Sequence, residues 1–273
     1  MGVSRQIPAV LSIAGSDSGG GAGIQADLKA FARCGVHGMT AITAITAQST
    51  VGVDAVEPVS PETIIAQVRA VAEDIGVDAV KVGMLGTAAT VEAVVEALGL
   101  LGEAPVVVDP VMVAESGAVL LDDDARAALI ERLLPLATVA TPNIPEARAL
   151  SGVGEGEAQE DLVREVLALG PSAVVVTGGH SERCVDLFCD GGEIVEIPGE
   201  RHPHGAAHGS GCTHSSALAA YLALGESPLG ASRKARGVAS AAVAAGLGDI
   251  GAGPGPVDVF ELASRRGSRR ADG

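Results

Sequence analysis

Nine residues, His208-Gly209-Ser210-Gly211-Cys212-Thr213-His214-Ser215-Ser216, run directly into the Ala/Leu-rich stretch Ala217–Leu222. Two glycines allow a tight turn, Ser and Thr can cap a helix, and the Ala/Leu run has the composition of a buried helix. A turn that opens a helix leaves unpaired N–H groups at the positive end of the helix dipole, where phosphate binds well. The same residues also suit an ordinary capped helix, and this stretch alone does not separate the two.

Other polar residues fall at the ends of apolar runs. Gln48 follows the run Met39–Thr46, where open α/β sheets place ligands. Its amide both donates and accepts, which suits a heteroaromatic ring, although a turn glutamine facing water is an equal reading. Asp109 ends the run Pro105–Val108, and Asn143 and Glu146 form an N-x-x-E spacing after Ala137–Ala140. Asp109 could equally cap a turn, and Asn143 its helix. Gly21-Ala22-Gly23-Ile24-Gln25-Ala26 fits the dinucleotide pattern G-x-G-x-x-G/A. That pattern needs an acid about 20 residues later, and none stands between Asp27 and Asp54, so the dinucleotide reading fails.

The elements that must position these groups alternate. Strands are expected at 7–14, 39–46, 78–84, 105–109, 137–140 and 173–177, with a hairpin of 184–189 and 193–197 around Asp190-Gly191-Gly192. Helices are expected at 24–31, from Ser60-Pro61-Glu62, at 87–101, after Asp122, from Asn143, at 159–169, 210–224 and 228–247, and near 257–264. Continuous β-branched strands of this kind imply a mostly parallel sheet covered by helices on both faces. One α/β domain over 1–264 is expected, with 265–273 a frayed tail.

A net charge of −16, three lysines, one Tyr and three Phe exclude a nucleic-acid footprint. No apolar run is long enough to span a membrane, and the N-terminus lacks signal-peptide features. Cys34, Cys184, Cys189 and Cys212 form no CxxC pair, so a reduced, cytoplasmic setting is expected. Such an acidic chain repels an anionic ligand, so a phosphate site here must use local N–H groups, a helix end and a divalent cation. The histidines at 202, 204, 208 and 214 lack firm ligand spacing and read as a solvated flap rather than a metal site.

Taken together, the motifs resemble the hydroxymethylpyrimidine/phosphomethylpyrimidine kinases of thiamine biosynthesis, within the ribokinase-like fold. They are Ala14-Gly15-Ser16-Asp17, Gly20–Lys29, Ile45–Gln48, Lys81-Val82-Gly83-Met84, Val108–Met112, Thr141–Ala147, Gly178-Gly179-His180 and His208–Thr213. The resemblance implies that Gly209, Ser210 and Gly211 form the anion hole and that Cys212 is the base. It implies Asp109 and Glu146 as Mg²⁺ ligands, and Asn143, Thr177 and Gly179 at the ATP. Gln48, with backbone groups near Gly15 and Met84, would read a small-molecule pyrimidine, with Asp27 near its polar edge. Thr177 stands where the family often has Lys, which removes a cation near the phosphates. The implied reaction is ATP-dependent phosphorylation of 4-amino-5-hydroxymethyl-2-methylpyrimidine and of its monophosphate. A pyridoxal/pyridoxine kinase is the alternative enzyme, and a non-catalytic metabolite-binding relative is the alternative from another class. A homodimer is the expected assembly.

Overall fold

The structure, a computed structural model, describes residues 6–154, 156–179, 183–203 and 205–265. Its centre is an eight-stranded sheet built from β1 (Ala9–Ala14), β2 (His37–Ile42), β5 (Ala79–Val82), β6 (Val106–Val108), β7 (Val139–Ala140), β8 (Val174–Val176), β9 (Val185–Cys189) and β10 (Val195–Pro198). The order is β10-β9-β8-β7-β6-β5-β1-β2, parallel from β2 to β8, with β9 and β10 antiparallel at one edge.

Successive strand residues face opposite ways, and here both faces are buried. Leu11, Ile13, Val106, Val108, Val174 and Val176 belong to one core, while Val10, Val107 and Val175 belong to the other. The first core is closed by α2 (Pro61–Asp74), α3 (Ala88–Leu98), α4 (Asp123–Ala128), α5 (Ile144–Ser151) and α6 (Gln159–Ala168), through residues such as Ile64, Val94 and Leu162. The second is closed by α1 (Gly23–Cys34), α7 (Ser210–Ala223) and α8 (Pro228–Ala244), through Phe31, Leu218 and Ala235. Helices on both faces explain why the strands are near-continuous Val/Ile/Ala runs.

Three expectations change. The run 39–46 is not one strand. β2 stops at Ile42, and the chain leaves the sheet as β3 (Ala44–Gln48), which pairs antiparallel with β4 (Val53–Pro58) in a separate two-stranded sheet. Ile45 and Val56, on opposite faces of this ribbon, both stay exposed, so apolar character alone gave no sign of the departure. The helix after Asp122 is α only to Ala128, then widens to a π turn over Leu129–Leu133 and tightens to a 3₁₀ turn over Leu134–Leu136. Near the C-terminus only 262–265 is helical; Val257 and Val259 before it are buried in irregular chain and a turn. Of the expected tail, Arg265 closes that turn, and 266–273 lie outside the described residues.

Candidate active site

Strand C-terminal ends and helix N-termini meet along one edge of the sheet, at a cavity of about 580 Å³. At one end, beside β1, lie Gly15, Gln48 and Met84, and in the middle lie Asp109, Asn143, Glu146 and the start of α7. At the other end, beside β8 and β9, lie Thr177, Gly179, Asp186 and Arg236.

Gly209 carries φ 84°, the left-handed turn that starts α7. A side chain there would strike Gly21 O, so the turn at Gly209 and the glycine loop before α1 touch through bare backbone. The Thr213 N–H bonds Gly209 O and the Ser210 N–H bonds Ala207 O. Among the described residues this leaves the Gly211 and Cys212 N–H groups free in the first turn. The expected hole is therefore narrower than Gly209-Ser210-Gly211, because the Ser210 amide is already engaged.

Cys212 is the third residue of α7, and a thiolate is the sequence expectation there. The structure reverses it: burial pushes the thiol up to about 12, Asp27 and Asp109 add to the rise, and the Lys81 charge opposes it only in part.

Asp109 follows β6 and accepts from Ser215 Oγ at 2.8 Å, with Lys81 Nζ 3.9 Å away. Asn143 and Glu146 form a reciprocal capping box at the start of α5, each bond 2.9 Å. The capping reading of Asn143 holds, since its carbonyl oxygen caps the helix, and the residue also lines the cavity. Burial and the neighbouring Asp109 raise Glu146 to about 8, and burial also raises Asp109. Two adjacent carboxylates, both held above their ordinary range at one cavity wall, are a donor set that suits a cation. Magnesium, a hard ion usually held by one or two carboxylates plus phosphates and water, fits them.

Gln48 is the last residue of β3, not the residue after a central strand. Its main chain is tied to Ser18 Oγ at 2.8 and 2.6 Å, and its Oε1 takes a 3.3 Å bond from Thr46. The Gly15 and Met84 carbonyls each already accept one bond, from the Ile24 N–H and the Thr43 hydroxyl.

Asp27 does not reach the cavity. It is fully buried beneath it and bonded to Ser12, Lys81 and Ser216, so it cannot touch a ring held at Gln48. The histidine segment differs too. His208 and His214 are buried, not solvated, and His202 Nε2 lies 2.8 Å from Ser240 Oγ. His180 and His204 fall outside the described residues, and among the described residues no metal-binding cluster of three such side chains forms.

Sequence reasoning passed over the groups that support the site. Asp17 sits in the glycine loop and accepts N–H bonds from Gly19, Gly21 and Ala22 at 2.8–3.0 Å and faces His208 Nε2 at 3.2 Å. Burial alone would raise it, but these bonds outweigh burial and hold it below the usual carboxylate range. Lys81 interrupts the otherwise apolar strand Ala79-Val80-Lys81-Val82, a visible signal that such a charge has a buried partner. Asp186, His214 and Arg236 carried no readable signal, since they come from three separate elements.

This α/β sandwich superimposes on the pyridoxal kinase of Bacillus subtilis, solved as an ADP complex, with TM-score 0.86 and 37% identity over 94% of this chain and 99% of that one. It also matches phosphomethylpyrimidine kinase from Clostridium difficile, with TM-score 0.74 and 42% identity over 84% and 96%. The fold is ribokinase-like, with the cavity along the C-terminal strand ends. The phosphomethylpyrimidine kinase family matches residues 17–258, and the hydroxymethylpyrimidine/phosphomethylpyrimidine kinase of Rhizobium meliloti is 50% identical over 92% of this chain and 96% of its own. The chain belongs to the phosphomethylpyrimidine kinase family. Among the described residues no helix is long and apolar enough to cross a membrane.

Proposed function

We propose that this chain transfers the terminal phosphoryl group of ATP to the hydroxymethyl oxygen of 4-amino-5-hydroxymethyl-2-methylpyrimidine, and then a second one to the monophosphate. The observation that carries the reading is the single cavity with free N–H groups of α7 and two carboxylates at its middle. One end at Gln48 and a second at Thr177 and Gly179 flank them. Relatives named for this reaction at 43–50% identity support the substrate choice.

In this reading Gln48 orients the ring so that its hydroxymethyl group points toward α7. The Gly211 and Cys212 amides hold the phosphoryl oxygens, and Asn143, Thr177 and Gly179 hold the nucleotide. Asp109 and Glu146 would hold Mg²⁺, which supplies charge neutralisation when bound. The hydroxymethyl oxygen forms the new bond to phosphorus as the bond to the ADP oxygen breaks. The hydroxyl proton passes to the Cys212 thiolate, which forms when the thiol first gives its own proton to solvent. So loose a transition state depends mainly on positioning and charge neutralisation, and base assistance from Cys212 contributes about a further 10²–10⁴-fold. The cytoplasmic homodimer expected above is part of the same reading, and light scattering tests its assembly.

Pyridoxal is the second candidate, favoured by the likeness to pyridoxal kinases at TM-scores of 0.85 and 0.86. ADP release measured with hydroxymethylpyrimidine, its monophosphate and pyridoxal decides between them. Turnover of both pyrimidines well above pyridoxal is expected. The reverse preference would overturn the substrate assignment, and no ADP release with any of them would favour a non-catalytic binding role.

A further inference from the structure

The far end of the cavity holds polar groups that the proposed reaction has not used. Asp186 on β9 is fully buried, and its Oδ1 accepts the Gly178 N–H at 2.8 Å. Arg236 Nη1 lies 3.3 Å from the same oxygen, and its Nη2 donates to Cys184 O at 3.1 Å. His214, with its side chain 5% exposed, stands behind them with Nε2 4.0 Å from Asp186 Oδ2. Among the described residues, Asp186 Oδ2, Arg236 Nε and both ring nitrogens of His214 are buried without a hydrogen-bond partner. Buried polar atoms are nearly always paired, so four orphans on three touching residues at one cavity wall mark a place where a ligand completes the bonding.

The chemistry of the group points to an anion. Burial holds His214 below its ordinary value, the Asp186 charge opposing it only in part and the Arg236 charge adding to it, so the imidazole is neutral. Arg236 is then a cation of this wall, held in place by Asp186, and Arg201 also lines the cavity. A guanidinium offers five donors in a planar fork that matches phosphate oxygens. Gly199 makes room for it, since a side chain there would collide with Nη2, whereas one at Gly179 would meet Nη1 at ordinary contact distance. Thr177, beside Gly179, brings no charge, and Lys81, the buried lysine of the cavity, is already paired with Asp27. In a chain of net charge −16, a polyanion needs such a local cation. Position chooses which anion. Arg236 sits with β8 and β9, four to five strands from β1, which at about 4.8 Å per strand is roughly 20 Å from the end where Gln48 lies.

We propose that Arg236 binds the phosphate chain of the nucleotide, with Asp186 fixing its guanidinium beside Gly179. The identity of that ligand rests on the ATP-dependent reading above. Calorimetric titration of the full chain with ADP and with adenosine, each with magnesium, tests it without any pyrimidine present. Arg236→Gln is expected to weaken ADP binding by about ten- to a hundredfold, the loss of a charge-assisted contact, with adenosine affinity changed less than about threefold. Arg236→Lys keeps the charge but loses the fork, so ADP affinity should fall by less, with the ratio of ADP to adenosine affinity still reduced. Equal losses for ADP and adenosine would show a packing role and overturn the proposal, as would unchanged ADP affinity. Should Arg236→Gln fail to fold, the Arg236→Lys affinity ratio decides, and an unchanged ratio overturns it. A wild-type chain that binds no ADP would overturn the nucleotide reading itself, a result distinct from an unaffected Arg236 variant.

Discussion

Lys81 Nζ lies 3.0 Å from Asp27 Oδ1, and neither side chain is exposed. The pair stands directly under the site and links α1 to β5. Ser216 of α7 bonds the same carboxylate at 2.7 Å, and Ser215, the residue before it, bonds Asp109. One buried ion pair therefore sets the positions of the helix that starts the anion hole and of the carboxylate proposed for the metal.

Removing one partner leaves an uncompensated charge in the core. Asp27→Asn should cost about 3–5 kcal/mol of stability, seen as a lower urea midpoint at unchanged slope. Burial opposes the Lys81 charge, and the charges of Asp27, Cys212 and Asp109 with the Asp27 hydrogen bond together more than offset that, holding the amine above its ordinary value. In the variant, Lys81 loses its main support. A midpoint within experimental scatter of the wild type would show that the pair adds nothing net.

Gln48 should matter at one end of the cavity only. Gln48→Ala is expected to weaken binding of the pyrimidine by about tenfold, equivalent to one lost polar contact, with ADP affinity intact. The hairpin is held to the glycine loop through the main chain of Gln48, so truncating the side chain leaves those bonds in place. Calorimetry showing unchanged pyrimidine affinity would take Gln48 out of the site.

Asp109→Asn and Glu146→Gln should each lower turnover strongly and raise the magnesium concentration needed for half-maximal rate, since each removes a negative ligand. Substrate binding at the Gln48 end should persist. Wild-type rates at low magnesium in both variants would remove these residues from the metal.

Cys212 gives a prediction about reactivity. With its thiol pushed up to about 12, the free chain at pH 8 should react with iodoacetamide at Cys212 far more slowly than an ordinary thiol of pKa about 8.5. The rate should rise with pH through the alkaline range. Peptide mapping by mass spectrometry reads each cysteine separately. Turnover of Cys212→Ser tests the proton-acceptor role: a fall of about 10²–10⁴-fold with both substrates still bound is expected. Turnover near that of the wild type would leave Cys212 only its amide.

The sequence by itself determined the layered α/β order, the parallel core strands, the hairpin at Asp190-Gly191-Gly192 and the cavity-lining positions of Gln48, Asp109, Asn143, Glu146 and Cys212. These are local signals. Strand and helix periods, Gly-rich turns and N-x-x-E spacing all act within a few residues, and polar groups at strand ends fall naturally on one edge of a parallel sheet. Only the tertiary structure decided which polar groups face the cavity and which lie beneath it. Asp27 and Asp17 both sit near the first glycine loop, yet one is sealed under Lys81 and the other clamps the loop to His208, 191 positions away in sequence. The departure of β3 from the sheet, the neutral state of Cys212 and the meeting of Asp186, His214 and Arg236 were likewise beyond reach of the sequence. Each depends on desolvation or on contacts between distant segments, and neither has a period or a spacing that one chain can display.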